Sequence, residues 1–501
     1  MLEFGLQDDA KNIILDIFKA YPQIEEVILF GSRALNTFKA TSDIDIAIKG
    51  KGTNTILAAL IDDFEESDLI YEVDVVDYDS ITSEKLLEHI DKFGKLLYRK
   101  GWVETSLGEV IDIYSGKTRP KVQGAFPVYG GNGILNYGDK FNQEDETIIV
   151  GRVGAYCGNV FYETQPFWLS DNALGVKAKE TSQEKFLYYK LVSMKLNNHA
   201  IGGAQPLLTQ TLLKELEINL PPLPEQKAIA DMLSSFDEKI ELLREQNKTL
   251  ETLAQTIFKE WFVNFNFPDQ QGKPYRHNGG AMVESELGEI PKGWRVDSIK
   301  NLPITISDYV ANGSFASLKE NVTLYDDKEE YALFVRNTDL KSGFKQKIYV
   351  DEHSYNFLHK TKLFGGEVII SNVGDVGSVY QCPHLAIPMT LGNNVIMLKS
   401  AFNNFLYLLF SGYVGQYLLK GITGGSAQPK FNKTEFRSLQ IIAPSEDILG
   451  EFEKVSQTIF DKITNNTSQI QTLSKTRDTL LPKLMSGQVR VLNIEGEEKH
   501  G

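Results

Sequence analysis

The tripeptide Ala204-Gln205-Pro206 returns as Ala427-Gln428-Pro429, and at that offset of 223 residues Thr211, Leu216, Ile218 and Pro221 meet Thr434, Leu439, Ile441 and Pro444. The register persists beyond them, where Ile240, Leu250 and Ile257 fall on Ile463, Leu473 and Leu480. The repeated unit is therefore a globular segment followed by a long helix. A chain carrying its own duplicate folds as a two-fold pseudosymmetric object, and such an object suits a ligand with two separated half-sites.

Other landmarks recur less strictly. Leu107-Gly-Glu109 returns within Leu287-Gly-Glu-Ile-Pro-Lys-Gly-Trp294, Ile148-Ile-Val-Gly-Arg-Val-Gly154 is answered by Val368-Ile-Ile-Ser-Asn-Val-Gly374, and Phe167-Trp-Leu-Ser-Asp-Asn172 by Met389-Thr-Leu-Gly-Asn-Asn394. Between these points many short strands with Gly, Asn and Pro turns differ widely. Similar frames with divergent faces are what two readers of different sequences need.

The helical parts hold the sharpest periodicity. Ile229, Leu233, Phe236, Ile240, Leu243, Asn247, Leu250, Ala254, Ile257 and Trp261 alternate steps of four and three. Phe452, Ser456, Ile459, Ile463, Asn466, Ile470, Leu473, Arg477, Leu480 and Leu484 do the same. That is a coiled-coil seam; a helix packed on its own globular domain would show the wider stripe of period 3.6. Pro221-Pro-Leu-Pro224 and Pro444 start the helices. Each seam contains one asparagine, costly to bury without a polar partner. Antiparallel pairing of Asn247 with Asn466 sets Leu243 against Ile470, Ile240 against Leu473, Leu250 against Ile463 and Trp261 near Phe452, a register that the duplication makes self-consistent. Residues 229 to 261 would span about 48 Å at ~1.5 Å per residue, more than one DNA turn of about 34 to 36 Å.

Composition excludes several classes. The 501 residues suggest three or four domains, and a 42% hydrophobic, 24% charged chain has ample core. No window reaches the ~18 to 20 apolar residues of a membrane span, and the acidic opening does not resemble a signal peptide, so a cytoplasmic location without membrane contact is expected. Two cysteines, Cys157 and Cys382, cannot build a disulfide framework or a four-thiolate zinc site. The net charge of −15 opposes nucleic-acid binding at first sight. However, residues 1 to 100 hold 20 acidic and 11 basic side chains, which leaves the duplicated part close to neutral. Lacking a strongly basic run, that part would bind DNA with help from a partner.

In the first hundred residues, a short apolar strand at Glu25–Phe30 precedes Gly31-Ser32-Arg33-Ala34 and then Ser42-Asp43-Ile44-Asp45-Ile46-Ala47-Ile48. Period-2 alternation places Asp43 and Asp45 on one face. Their mutual repulsion makes sense if divalent cations sit between them. Asp74 in a later strand offers a third acid, and Gly31 and Ser32 would let backbone amides approach a triphosphate, with Arg33 as countercharge. This order resembles the minimal nucleotidyltransferases of the polymerase β-like superfamily over residues 5 to 98. The resemblance implies that Asp43, Asp45 and Asp74 are the catalytic and metal-holding residues for Mg2+ and a nucleoside triphosphate. It also implies that Asp74 activates the incoming hydroxyl and that Gly31, Ser32 and Arg33 bind the nucleotide. Where that family usually has glycine two residues after Ser-Arg-Ala, this chain has Leu35-Asn36; asparagine is the next best residue for a left-handed backbone. A solvated turn, or a domain that keeps the fold without activity, are the alternatives. Similar small domains often act as antitoxins that place AMP on a helical HEPN-type toxin.

Pro221-Pro-Leu-Pro-Glu-Gln-Lys-Ala-Ile-Ala-Asp-Met-Leu233, after a Gly-Gly-Ala-Gln-Pro segment and before a long helix, looks like the specificity subunit of type I restriction-modification systems. The resemblance covers residues 101 to about 492. It implies recognition of a split, asymmetric site in double-stranded DNA, with methyltransferase subunits gripping the helices and a restriction translocase subunit as a further partner. The specificity region itself would need no cofactor. Copy two departs from the spacer pattern, with Pro444-Ser-Glu-Asp in place of Pro222-Leu-Pro-Glu-Gln226, which leaves its partner contact open. Candidates for DNA contact are Lys117, Arg119, Lys121, Arg152, Gln205, Arg336, Gln428, Lys430 and Lys433, since such side chains pair with purine edges and phosphates. Ordinary solvated surface is the alternative for each, and a structural turn is a further one for the two glutamines. Gly116-Lys-Thr118 lacks the glycine five residues earlier that a P-loop needs, and Asn219-Leu-Pro-Pro222 is not an amino-methyltransferase tetrad.

The expected fold is a multidomain α/β (α+β) chain. Its parts are a nucleotidyltransferase-like α/β domain (1–100), two pseudosymmetric mixed α/β target-recognition domains (101–220 and 285–443) and two long helices forming an antiparallel coiled coil (221–266 and 444–492), with a linker at 267–284 and a tail at 493–501. Two readings of function follow. One is a DNA-recognition subunit with an added nucleotidyltransferase-like domain. The other makes a metal-dependent nucleotidyltransferase primary and the repeats a scaffold or sensor.

Overall fold

The computed structural model describes residues 3–203, 205–425 and 428–491; Ala204, Ala427 and the tail at 493–501 lie outside them. Two compact units divide the chain. One comprises Met1–Glu241 with Gln471–Gly501, and the other Leu242–Ile470. Among the described residues no helix is long and apolar enough to cross a membrane.

In the first unit the N-terminal strands β1 (Glu26–Phe30), β2 (Ile44–Lys49), β3 (Val73–Asp77) and β4 (Lys95–Arg99) form one sheet in the order β3-β2-β1-β4. Only β2 and β3 run parallel. Ile44, Ile46 and Ile48 of β2 are buried on one face with Phe18, Val27, Leu29 and Leu60. The same alternation turns Asp45 away from that core.

The next segment builds a four-stranded antiparallel sheet in the order 160–163, 147–151, 173–178, 111–115. In the second unit the sheet ordered 379–381, 368–371, 395–399, 305–308 repeats it. Leu174 pairs with Ser115 and Val150, and Ile396 pairs in the same way with Asp308 and Ile370. A closing strand pair recurs as well, 103–106 with 217–220 and 295–298 with 440–443. The duplication read from the sequence is therefore present strand by strand, register included.

Two helices of 40 residues, Leu223–Phe262 and Glu446–Met485, leave these segments after prolines that cannot continue the preceding strands. In the first unit Ile229, Leu233, Leu484 and Met485 share one core with Ile148, Val150 and Phe186. In the second, Phe258, Phe262, Phe452 and Ile459 share another with Phe405, Phe410 and Phe436. Residues 267–284, read as a linker, fold back on this second core, where Phe267 stacks on Tyr275 at 4.6 Å and on Trp294 at 5.1 Å.

The helices pair antiparallel. Asn466 Nδ2 donates to Asn247 Oδ1 at 2.9 Å, and Trp261 packs on Phe452 with centroids 5.6 Å apart. Asn466 is fully buried and its Oδ1 has no partner. Replacing Asn466 alone with leucine removes the donor to Asn247 Oδ1, while Asn247 Nδ2 keeps Thr467 Oγ1 at 3.3 Å, and is expected to cost about 1 kcal/mol. The double replacement N247L/N466L removes both polar groups and should melt at or above the wild-type temperature while losing the register constraint. Thermal unfolding of the two variants checks the pair, and a double variant less stable than N466L would contradict it.

Also in the first unit, Arg99 at the end of β4 is buried, pairs with Glu26 at 2.5 Å and Glu225 at 3.7 Å, and lies 5.6 Å from the Trp102 ring centroid. Trp102 Nε1 donates to Glu225 Oε2 at 3.0 Å. Glu225 belongs to the first turn of the long helix, so this network binds the N-terminal sheet to the helix start. Arg99→Ala leaves two half-buried carboxylates without their cation and is expected to cost about 3 kcal/mol, read as a lowered denaturation midpoint.

Candidate nucleotidyl-transfer and nucleic-acid sites

The first site forms where β1 turns into the short helix Gly31–Ala34 and the edges of β2 and β3 meet. Asp45 stands opposite Phe30 on one side and Asp74 on the other. Gly31 has φ +70, and a Cβ there would lie 2.1 Å from Asp45 Oδ2, so glycine is required for this carboxylate to occupy the mouth of the turn. Asn36 takes the left-handed conformation, φ 56, at the position where the superfamily usually has glycine.

Asp43 and Asp74 are exposed and Asp45 is half-buried. Burial raises the Asp45 pKa above the usual aspartate range, and the charges of Asp74 and Asp43 push it further; His89 and Arg33 act in the opposite direction. Among the described residues no group of three or more His, Cys, Asp or Glu is assembled as a cation cage. Mg2+ is commonly held by one or two carboxylates together with waters and substrate phosphates, and mutually repelling Asp45 and Asp74 on adjacent strands fit that donor set. Arg33 requires a correction. Its guanidinium is fully buried, donates to the backbone oxygens of Ser42, Asp43 and Phe4, and lies against Phe38 and Tyr71. It fixes the loop ahead of Asp45 and acts on that carboxylate through space, because its guanidinium is buried and turned onto backbone oxygens instead of facing a phosphate. His89, which composition does not single out, also acts to lower the Asp45 pKa.

The second site is a frame built twice. In the first copy Arg152 N donates to Asn172 O at 3.0 Å, Leu208 N to Arg152 O at 2.9 Å, and Gly154 N to Pro206 O at 2.9 Å. In the second copy Asn372 N donates to Asn394 O at 3.1 Å, Phe431 N to Asn372 O at 3.1 Å, and Gly374 N to Pro429 O at 3.0 Å. The bridges Ile201–Leu207 and Gly424–Lys430 flank the two Gln-Pro dipeptides. Gly202 and Gly425 turn each loop with φ near +94 and +93, and Gln205 and Gln428 are exposed at the tips. Side chains differ on this shared backbone: Gln210 Nε2 donates to Ser115 Oγ at 3.0 Å, whereas at the matching positions Lys433 Nζ contacts Asp308 Oδ1 at 2.8 Å.

Of the remaining candidates, Lys117, Arg119, Lys121 and Lys430 are exposed and Arg152 is half-buried. Two are corrected. Lys433 is committed to Asp308, and Arg336 is held by both oxygens of Asp339 at 2.9 and 2.6 Å, where it caps a short helix. The carboxylate fills the Nε–Nη2 edge of Arg336 and fixes its direction, so only the Nη1 end remains for another acceptor.

The family model for the type I restriction modification DNA specificity domain matches residues 99–252 and 309–480. The type I restriction enzyme MjaIX specificity subunit of Methanocaldococcus jannaschii is 30% identical over 351 residues, 67% of this chain and 76% of that protein. The chain belongs to the type I restriction-modification specificity family. The HindI specificity subunit of Haemophilus influenzae is 24% identical over 361 residues, covering 62% of this chain and 75% of that one. A crystal structure of the type I system S subunit from M. genitalium shares the fold, with a TM-score of 0.51 at 18% identity over 77% of this chain and 96% of that one. Residues 12–101 match the polymerase beta nucleotidyltransferase model, so this specificity-family chain carries a nucleotidyltransferase-like domain ahead of its repeats. Use of a nucleotide and a metal is general to that class.

Proposed function

We propose that this chain is the DNA-reading subunit of a type I restriction-modification complex, binding a bipartite, asymmetric duplex site and docking methyltransferase subunits on its paired helices. The observation that carries this reading is the frame built twice, with matching strand register and matching backbone bonds to the Gln-Pro segments but different side chains upon it. One backbone geometry meets equivalent groove geometry twice, while the divergent side chains distinguish two base sequences. Exposed Lys117, Arg119, Lys121 and Lys430 supply phosphate contacts, and Gln205 and Gln428 extend from the loop tips. Methyl transfer and cleavage belong to the partner subunits, a restriction translocase among them.

The N-terminal domain transfers a nucleotidyl group. Backbone amides at Gly31 and Ser32 receive the triphosphate, Asp43 and Asp45 would hold Mg2+, and Asp74 takes the proton of the incoming hydroxyl as its oxygen bonds to the α-phosphorus and pyrophosphate leaves. A bound divalent cation would supply charge stabilisation at the phosphoryl oxygens. The crowding of Asp45 by Asp74 and Asp43 fits a cation-assisted transfer, and a second reading makes that transfer, to a HEPN-type toxin as acceptor, primary and the repeats a scaffold.

Reconstitution separates the two. The purified chain with its neighbouring methyltransferase subunit should methylate a duplex library at a two-part motif, and the chain alone should not. Label from α-labelled ATP appearing on a neighbouring gene product, with no methylation by an assembled complex, would favour the second reading.

A further inference from the structure

Arg152 and Asn372 occupy the same place in the two copies. Each follows the strand at the centre of its four-stranded sheet, each donates its backbone N–H to the carbonyl of the matching asparagine, Asn172 or Asn394, and each accepts from the residue two after the Gln-Pro turn. Each also carries a buried polar atom with no partner, Arg152 Nε and Asn372 Oδ1. Asn372 Nδ2 is meanwhile held by Phe431 O at 3.1 Å, which fixes the amide so that Oδ1 is the atom left over. A buried polar atom is ordinarily paired, and here the atom without a protein partner recurs at one position of a duplicated frame.

In the second copy the surroundings show room for a partner from outside. Asn372 lines a cleft of about 380 Å³ with Tyr309, Phe315, Asn393 and Asn394, and Phe315 at its rim is 79% exposed. An aromatic at the rim and amides along the wall suit a flat, hydrogen-bonding edge. The two orphan atoms are opposite in kind. Arg152 offers a donor, and guanine presents two acceptors, N7 and O6, in the major groove. Asn372 offers an acceptor together with the second Nδ2 hydrogen that Phe431 leaves unused, and adenine presents the exocyclic N6 amine beside N7, the bidentate match of an asparagine.

We infer that position 152 and its equivalent 372 are the base-reading positions of the two copies, Arg152 selecting guanine in one half of the DNA site and Asn372 selecting adenine in the other. The inference rests on the DNA-recognition reading above and assigns its specificity to two named side chains.

The test is selection by the full chain, in complex with its methyltransferase subunit, from duplexes randomised across both halves of the wild-type motif. R152A should lose roughly 10-fold or more of its preference for guanine at one position in one half, and N372A the same for adenine at one position in the other. R152Q and N372S form a second pair that keeps a polar side chain in the frame, with the same loss at the same positions expected. R152K retains the charge but not the fork, so it should also relax the guanine preference. An unchanged motif in both pairs, or a uniform loss of affinity for every duplex, would overturn the inference and leave these residues as backbone supports. A wild-type complex that selects no two-part motif would overturn the underlying DNA-recognition reading, and this assignment with it.

Discussion

Phe452→Ala is expected to destabilise the Leu242–Ile470 unit by about 3 to 5 kcal/mol, one of the largest effects available to a single substitution in this chain. Phe452 is fully buried and lies 4.8 Å from Phe262, 5.6 Å from Trp261 and 6.1 Å from Phe258 between ring centroids. The rings around it belong to a close-packed cluster joining both long helices to Phe405, so the void cannot collapse without moving several aromatics at once. Phe452→Leu refills most of that volume and should cost about 1.5 kcal/mol or less. Urea unfolding followed by tryptophan fluorescence checks both, and an alanine variant within 1 kcal/mol of wild type would show that the helix pair does not depend on this anchor.

Asp45→Asn is the second large effect, and it acts in two directions. Transfer by the N-terminal domain should fall by about 100-fold or more, since a metal's charge stabilisation is worth several kcal/mol. Stability should move the other way. The folded-state pKa of Asp45 is raised, so its contribution to stability is present below the ordinary aspartate pKa and is lost as pH rises through the raised value. At neutral pH, without metal, the ionised carboxylate is therefore a cost that asparagine removes. The variant should melt above wild type at pH 7 and converge with it at low pH. A D45N protein that melts lower than wild type at neutral pH without metal would contradict the electrostatic account of this site.

Much of this architecture is legible in the sequence because duplication doubles the information at each landmark. Seam asparagines are conspicuous among apolar neighbours, and pairing Asn247 with Asn466 follows from the cost of burying either alone; the 2.9 Å bond joins those two. Asn36 reads as a left-handed residue because few side chains tolerate that conformation, and its φ is 56. Charge was a poorer guide. Arg33, Arg336 and Lys433 look available for anions in one dimension, but Arg33 is turned onto backbone oxygens and the other two onto the carboxylates of Asp339 and Asp308, partners that periodicity does not locate. Asn372 was passed over for the opposite reason. It is uncharged and its orphan oxygen exists only once Phe431 has taken its amide, although the echo of Ile148–Gly154 in Val368–Gly374 already set it against Arg152. The compact packing of 267–284 was hidden because Phe267 and Tyr275 show no helical or strand period.

Genome-wide methylation sequencing in cells expressing this chain with its neighbouring methyltransferase subunit tests the central claim most directly. The account predicts a two-part methylated motif that appears only when both repeats are intact. Absence of any such motif, from a complex shown to assemble, would contradict it and make the nucleotidyltransferase the chain's principal activity.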